Sequence, residues 1–485
     1  MYQECVLPLA LAYQLEHPKN PFFQEERLRE WVVAGIDFAR RASHWQGGCD
    51  DYFPYERACG AAAFSLYACT EAALLLKLQD KKFLRFFKKR AHYLAREGFS
   101  ESGVLSNHRA LIVLGLYNTF LVTGEEEFKK KAEERRDLLL KLQTGEGWFP
   151  EYEGCDPGYL MFAIDFLAKY YQKSKDSRVV EPLCRAIDFA SHFLHPDGSY
   201  GGEYGSRNTF HFLPHGLELM ASAAPRALWM ANRFLRYLPR EGRSSLEDDR
   251  LVCHYAYNFL QAYADFASRN GEIREVPRED GTRLFKEAGL FVKTSGEDHA
   301  VISLAKGGVM KVFKQGRLVY NDAGLAGETT RGIRFYSSNQ GNWQYEVKED
   351  KITVEGYCSE YTPRHFSPIP FALFRLFMSF IGRFLPANVV RRWLQKKTIL
   401  QSKRFPLRFR KEIVLPQFGK ITFHLFFEKP AWKIKELFVA SDATFIYTAT
   451  SQPYQKGCLK SWIDFASALP SLNRVGHSIF HHSAE

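Results

Sequence analysis

Between about residue 22 and residue 270 the apolar positions recur at the three- and four-residue spacing of helices that bury one face. The pattern predicts helices over 22–42, 58–78, 81–96, 105–122, 125–142, 159–172, 179–194, 210–223, 225–237 and 251–267. They fall into two kinds. Segments 58–78, 105–122, 159–172 and 210–223 are apolar on nearly every face, as helices covered on both sides are, whereas 81–96 and 125–142 are densely charged. Loops of one type, rich in glycine and aromatic residues, separate the pairs at 46–54, 98–103, 145–150 and 197–205, with a fifth copy at 244–249. Phe53-Pro54 and Phe149-Pro150 share a dipeptide. A period of about 50 residues is that of a two-helix repeat, which stacks as an open solenoid or closes into a toroid. Doubly covered inner helices favour the toroid, with the aromatic loops converging on a central cleft at one rim.

Beyond residue 270 the pattern changes. The stretch 271–285 is charged and holds Pro277 and Gly281, which suits a linker. Short β-like runs then alternate with turn residues at 290–293, 300–305, 308–313, 317–321, 332–336, 343–347, 352–357, 409–415, 420–427, 436–440 and 445–449. The expected organisation is therefore an N-terminal (α/α) toroid over 1–270, a linker over 271–285 and a C-terminal antiparallel β-sandwich over 286–485. One segment, 370–397, interrupts the strands. It is aromatic, basic and free of acids, too short and too charged to span a bilayer, and reads either as an interfacial amphipathic helix or as a helical insertion packed on the sandwich. His477, His481 and His482 read as a C-terminal tail.

A chain of 485 residues exceeds what one core usually serves, in keeping with two domains. The formal net charge of +11 favours an anionic polysaccharide or a phospholipid surface. Lys and Arg are spread along the chain without a recognition motif, which argues against nucleic acid. Nine cysteines stand singly, the first residues lack the positive start of an export signal, and no uncharged stretch is long enough to span a membrane. The expected location is cytoplasmic, peripheral on the inner membrane through 370–397. No P-loop, GxSxG, HExxH or dinucleotide fingerprint occurs, and neither metal nor cofactor is expected.

The candidate chemistry sits where two loops run into apolar helices. Ser106-Asn107-His108 opens one, and Asp156-Pro157-Gly158-Tyr159 opens the next, with Asp156 as N-cap and Pro157 as first helical residue. Removing the C5 proton of a uronic acid needs a base, a group that neutralises the carboxylate, and an acid for the leaving oxygen. Tyr159 and His108 supply base and acid, and Asn107 supplies the clamp. Arg207 adds positive charge, His211 or His215 assists, and Tyr52, Trp148 and Tyr204 on the repeat loops offer sugar-stacking surfaces. A second reading takes Asp50, Asp51 and Glu56 as the paired carboxylates of a glycoside hydrolase. A third is a non-catalytic glycan- or membrane-binding protein.

An Asn-His pair on one inner helix, followed some fifty residues on by a helix-opening Tyr, resembles the heparinase II/III-like and alginate-lyase-like polysaccharide lyases. That resemblance implies a helical toroid followed by an antiparallel sandwich. It further implies that Asn107 neutralises the uronate while His108 and Tyr159 share the acid and base roles. The lyases' sandwich often carries a His-x-Asp-x-Gly strand and a later His-Asn. This chain has only Glu297-Asp298-His299-Ala300, Asn321-Asp322-Ala323-Gly324 and Ser338-Asn339, so His299 and Asp322 are the nearest counterparts. The expected activity is β-elimination or C5 epimerisation on an anionic or lipid-linked glycan.

Overall fold

The computed structural model describes residues 2–97, 105–152, 154–238, 251–269, 274–339, 341, 343–349, 351–361, 368–395, 403–414, 420–428, 433–441 and 461–483. The repeat loops expected at 98–103 and 244–249, and the strand expected at 445–449, lie outside them.

The helical half begins α1 (Val6–Gln14), α2 (Glu26–Arg41), α3 (Cys59–Leu75), α4 (Lys81–Glu97), α5 (Ser106–Thr123) and α6 (Glu126–Leu140). It continues with α7 (Pro157–Ser174), α8 (Val180–Ser191), α9 (Pro214–Met220), α10 (Pro225–Tyr237) and α11 (Val252–Ala264). Each odd-numbered helix packs beside the next, and α11 packs back on α1, so six inner helices close a ring with the even-numbered helices outside. The toroid is thus closed. At the seam Glu4 Oε2 lies 2.8 Å from His254 Nδ1.

Helix α9 is shorter than the apolar pattern of 210–223 suggested. Pro214 opens it, and the residue before a proline is held extended, as Leu213 is. Residues 201–209 form instead a buried loop between the two halves of the protein.

The second half is a sandwich of two antiparallel sheets. A meander of β1 (Gly281–Phe285), β2 (Leu290–Ser295), β3 (Asp298–Ser303), β4 (Val309–Lys314) and β5 (Arg317–Asp322) makes the first. The second contains β6 (Leu325–Thr329), β7 (Arg334–Tyr336), β8 (Gln344–Lys348), β9 (Lys351–Tyr361), β10 (Lys403–Val414), β11 (Lys420–Phe427), β12 (Ile434–Ala440), β13 (Ser461–Asp464) and β14 (His477–Ser483). Its order is β13-β12-β6-β7-β9-β10-β11-β14, with β8 paired to β9. The first sheet is covered on both faces. Leu290, Val292, Val301 and Val309 point into the toroid's core, and the alternate residues Phe291, Ile302 and Met310 point into the sandwich. Successive side chains of a strand face opposite ways, so two apolar faces produce the unbroken apolar runs seen in the sequence.

Three expectations are corrected. The linker expected over 271–285 ends earlier, because Gly281–Phe285 is already an edge strand on β2. The histidine tail is strand β14, paired along β11, with Phe480 packed against the core. The 370–397 insertion is a helical hairpin, α12 (Pro368–Phe380) and α13 (Ala387–Gln395), placed between adjacent strands β9 and β10. Its inward residues pack on the toroid loop 50–57 rather than on the sandwich: Phe374 meets Phe53 at 5.0 Å, and Arg57 Nη2 donates to the carbonyls of Arg383 and Leu385 at 2.9 and 3.1 Å.

Candidate active site

Helices α5 and α7 start on the same rim, and each start is held by a neighbouring loop. Leu105, the N-cap residue of α5, has no side chain able to accept from the first turn. The next loop supplies one: Glu151 Oε1 accepts from the Asn107 backbone N–H at 2.6 Å, while Ser106 Oγ donates to the Pro150 carbonyl at 2.7 Å. Glu151 is buried, and its Oε2 has no hydrogen-bond partner. Burial, and then the nearby charge of Asp156, push its carboxyl up to about 8, against the opposing pull of Asn107 and Arg207.

Asp156 caps α7 as the sequence suggested. Its Oδ1 accepts from the Tyr159 N–H at 3.0 Å, its Oδ2 from the Arg207 N–H at 2.8 Å, and the Thr209 hydroxyl is its third donor. Gly158 is required here, because a Cβ would lie 2.1 Å from Thr209 Oγ1. The loop carrying Arg207 is held from its other side by the sandwich. Lys306, in the turn before β4, is buried and donates to the carbonyls of Glu203 (2.5 Å) and Gly205 (2.7 Å) and to Asn208 Oδ1. Burial pushes its ammonium down to about 7. Lys311 of β4 adds an ion pair to Glu203 at 2.8 Å. The second domain therefore buttresses the start of α7 through one loop.

Around this frame the candidate side chains gather. Tyr159 is half-buried, with its ring 5.6 Å from His211 and 6.3 Å from Tyr152. Burial raises its phenol well above the usual range, Tyr152 adds to the rise, and Arg207 opposes it. The Arg207 guanidinium lies 4.4 Å over the Tyr152 ring. Tyr152 itself has φ of +51°, a left-handed conformation that costs a tyrosine of order 1 kcal/mol and turns its ring under the arginine. Asn107 is buried, and its Nδ2 has no hydrogen-bond partner. His108 is half-buried and packs edge-on to Phe64 at 5.9 Å. Gly60 makes room for it: a Cβ there would lie 2.6 Å from His108 Cε1. Phe64 also meets Phe162, which in turn meets Tyr159 and His211, so His108 and Tyr159 look onto one aromatic-lined interior.

His211 lies in the loop before α9 rather than on the helix. Its Nδ1 is 2.6 Å from the Tyr255 hydroxyl, and burial drives its imidazolium down to about 3, which keeps the ring neutral. His215 is one turn deeper and belongs to a different network, with Nε2 2.8 Å from Asp265 Oδ2 and Nδ1 4.0 Å from Asp165. Two of the proposed stacking residues are core residues. Trp148 is 6% exposed, and its indole donates to Glu146, which also accepts from the N–H groups of Glu287 and Ala288 at the joint with the sandwich. Tyr204 is buried with its hydroxyl 2.9 Å from His195 Nε2. Tyr52 is 44% exposed on the rim, beneath Arg375 of α12.

Two of the three carboxylates of the hydrolase reading are engaged within their own loop, and Asp51 is exposed and takes part there through its backbone N–H. Asp50 accepts from His44 and from the N–H groups of Tyr55 and Arg57, and Glu56 accepts from those of Asp51 and Tyr52. His299 and Asp322 likewise serve the sandwich: His299 Nδ1 is 2.9 Å from Thr294 Oγ1, and Asp322 pairs with the buried Lys411.

A closed α/α toroid followed by an antiparallel β-sandwich is a fold this chain shares with solved polysaccharide lyases. No family model and no curated sequence matches this chain. Among solved structures it is similar to the Streptomyces coelicolor A3 chondroitin AC lyase in complex with chondroitin sulphate, with 11% identity and a TM-score of 0.53 over 91% of this chain and 63% of that one. A Paenibacillus xanthan lyase matches with 10% identity and a TM-score of 0.50 over 91% of this chain and 42% of the other. Heparinase III matches with 11% identity and a TM-score of 0.49 over 87% of this chain and 61% of its own. The chain thus spans less than two thirds of each of these proteins, and at such identity the likeness concerns the fold.

Proposed function

We propose that the protein acts on a uronic-acid-containing polysaccharide by abstracting the C5 proton and expelling the C4 oxygen, leaving a C4=C5 double bond. The observation that carries this reading is the Asn107 carboxamide. Its Nδ2 is a buried donor with no close hydrogen bond, facing within the chain the carboxyl of Glu151 that burial keeps protonated, at the positive end of α5 and beside the Arg207 loop. Buried donors are almost always paired, so this one calls for an anionic acceptor from outside the chain, and a uronate carboxylate has the charge and shape. With the carboxylate neutralised, the C5 carbanion is tolerated as an enolate. A phenol whose ionisation is suppressed is suited to give its proton to the departing O4, which makes Tyr159 the acid. His108 takes the C5 proton, and neutral His211 beside Tyr159 orients the phenol. A lipid-linked form of the glycan, met on the cytoplasmic side of a membrane, is the second part of the proposal; the arginine-flanked apolar hairpin α12–α13 supports it.

The test is incubation with chondroitin sulphate, xanthan and other uronate polymers, read by the ultraviolet absorbance of the unsaturated product and by proton exchange in heavy water. Elimination gives absorbance. Exchange without absorbance assigns an epimerase, in which the proton returns to the opposite face. Chain cleavage without a double bond, or equal activity in Tyr159→Phe and Asn107→Ala, sinks the proposal.

A further inference from the structure

Helix α12 is apolar on both its faces. Phe374 and Met378 turn inward toward loop 50–57, as a packed helix requires. Yet Leu373, Leu376, Phe377 and Phe380 point outward, followed by Ile381 and Phe384, with Phe380 70% and Phe384 78% exposed. Helix α13 repeats the arrangement: Val390 and Leu394 face in, while Val389 and Trp393 are exposed. Single exposed apolar residues are ordinary on a protein surface, but a two-helix hairpin whose outer side matches a core in composition needs a cover.

Charge decides what covers it. The sequence holds no Asp or Glu between Glu360 and Glu412, while Arg375, Arg383, Arg391 and Arg392 punctuate the two helices. A protein partner's apolar patch would not ask for this one-sided charge, and a second copy would set cation against cation. An anionic lipid interface matches both halves of the surface, accepting the aromatic side chains at the acyl boundary and the exposed Arg375 and Arg383 beside the headgroups. Trp45, 78% exposed, borders the same surface: its neighbour His44 packs on Tyr55, over which Arg383 lies at 5.4 Å. No helix among the described residues is long and apolar enough to cross a membrane, so the contact is one of lying on the surface.

We infer that the outer face of the α12–α13 hairpin docks on an anionic phospholipid membrane, with loop 50–57 and the rim that carries the α5 and α7 starts turned toward it. The hairpin clasps loop 50–57, which leads directly into α3 and Gly60 beneath His108, so a docked hairpin brings the candidate site's own rim to the bilayer. This inference stands whether or not the glycan reading holds.

The experiment is co-sedimentation of the purified chain with vesicles of phosphatidylcholine alone or mixed with phosphatidylglycerol. Binding to the anionic vesicles is expected to exceed binding to the neutral ones by about tenfold and to weaken with added salt. The variant Phe380→Ser with Phe384→Ser, two side chains already in water, should keep the circular dichroism and melting temperature of the parent and bind about tenfold more weakly. Failure to bind either vesicle overturns the inference, as does undiminished binding by the double variant. A concentration-dependent dimer in sedimentation velocity that the double variant abolishes would overturn it too, assigning the face to a second copy.

Discussion

Two buried polar clusters lie along helix α7, and they differ in how their charges are matched. In the deeper one both ammonium groups have carboxylate partners, Lys169 with Asp165 at 2.5 Å and Lys173 with Glu71 at 3.0 Å, while His215, whose protonation burial disfavours, has its Nε2 2.8 Å from Asp265. Asn258 and Asn118 donate to Asp165 and Glu71 at 2.9 and 2.7 Å. Both clusters leave polar atoms over, Asn107 Nδ2 and Glu151 Oε2 at the helix start and Asn118 Oδ1 and His215 Nδ1 in the deeper one, so the lysine–carboxylate pairs are what set the deeper one apart. The residue types are alike. Paired charges hold the inner helices in register, whereas the cluster at the helix start holds a buried carboxyl, Glu151, beside the aromatic-lined interior. Charge pairing, more than composition, separates scaffold from site.

Substitutions can break that contrast. Tyr159→Phe should lower kcat on the cognate polymer by about 10³-fold or more while leaving the melting temperature within a degree or two, since the hydroxyl is the only atom removed. Lys169→Met should do the reverse: an unpaired buried Asp165 costs about 3–5 kcal/mol in urea unfolding, with activity per folded molecule retained. If that variant folds well but is inactive, the two clusters are one site and the contrast fails. Asn107→Ala should cost about 10²-fold in kcat/KM with little loss of stability, because the 2.6 Å bond that Glu151 makes to the backbone N–H of that position survives the substitution.

The smallest effect is the most specific. Glu151 is held protonated in the fold up to about pH 8, above the usual carboxyl range, so the folded state binds a proton that the unfolded state has already released. Its contribution to stability is complete below the ordinary carboxyl pKa and falls away as pH rises through about 8. Above that point the new negative charge beside Asn107 also repels a substrate carboxylate. Glu151→Gln should flatten both the stability decline and the alkaline loss of kcat/KM, a change of a few-fold at the most. An alkaline limb that persists in this variant would assign the titration to another group.

The alternation of apolar and charged helices was enough to give the toroid, because helix pairs leave a periodic trace, and the helix-opening positions of Asn107, His108 and Tyr159 stand out against apolar runs. What escaped had no local trace. Helix α1 is apolar all round, so it shows no periodicity. Glu151 follows Phe149-Pro150 in a loop, and nothing nearby tells that it caps a helix beginning 45 positions earlier. Lys306 sits in Ala305-Lys306-Gly307-Gly308, which reads as a solvated turn until the other domain supplies three oxygens. Trp148 and Tyr204 show the opposite error. Aromatics in glycine-rich loops suggest a sugar platform, but here the second domain covers both.

The closed ring also imposes an order of events on synthesis. The first inner helix leaves the ribosome roughly 250 residues before the last one that must flank it, a wait of tens of seconds at ordinary elongation rates. Throughout that interval one side of the nascent barrel stays open to water and to chaperones. The ring is complete only when its two ends meet, so a circularly permuted gene that moves α1 behind α11 should fold faster while producing the same final architecture.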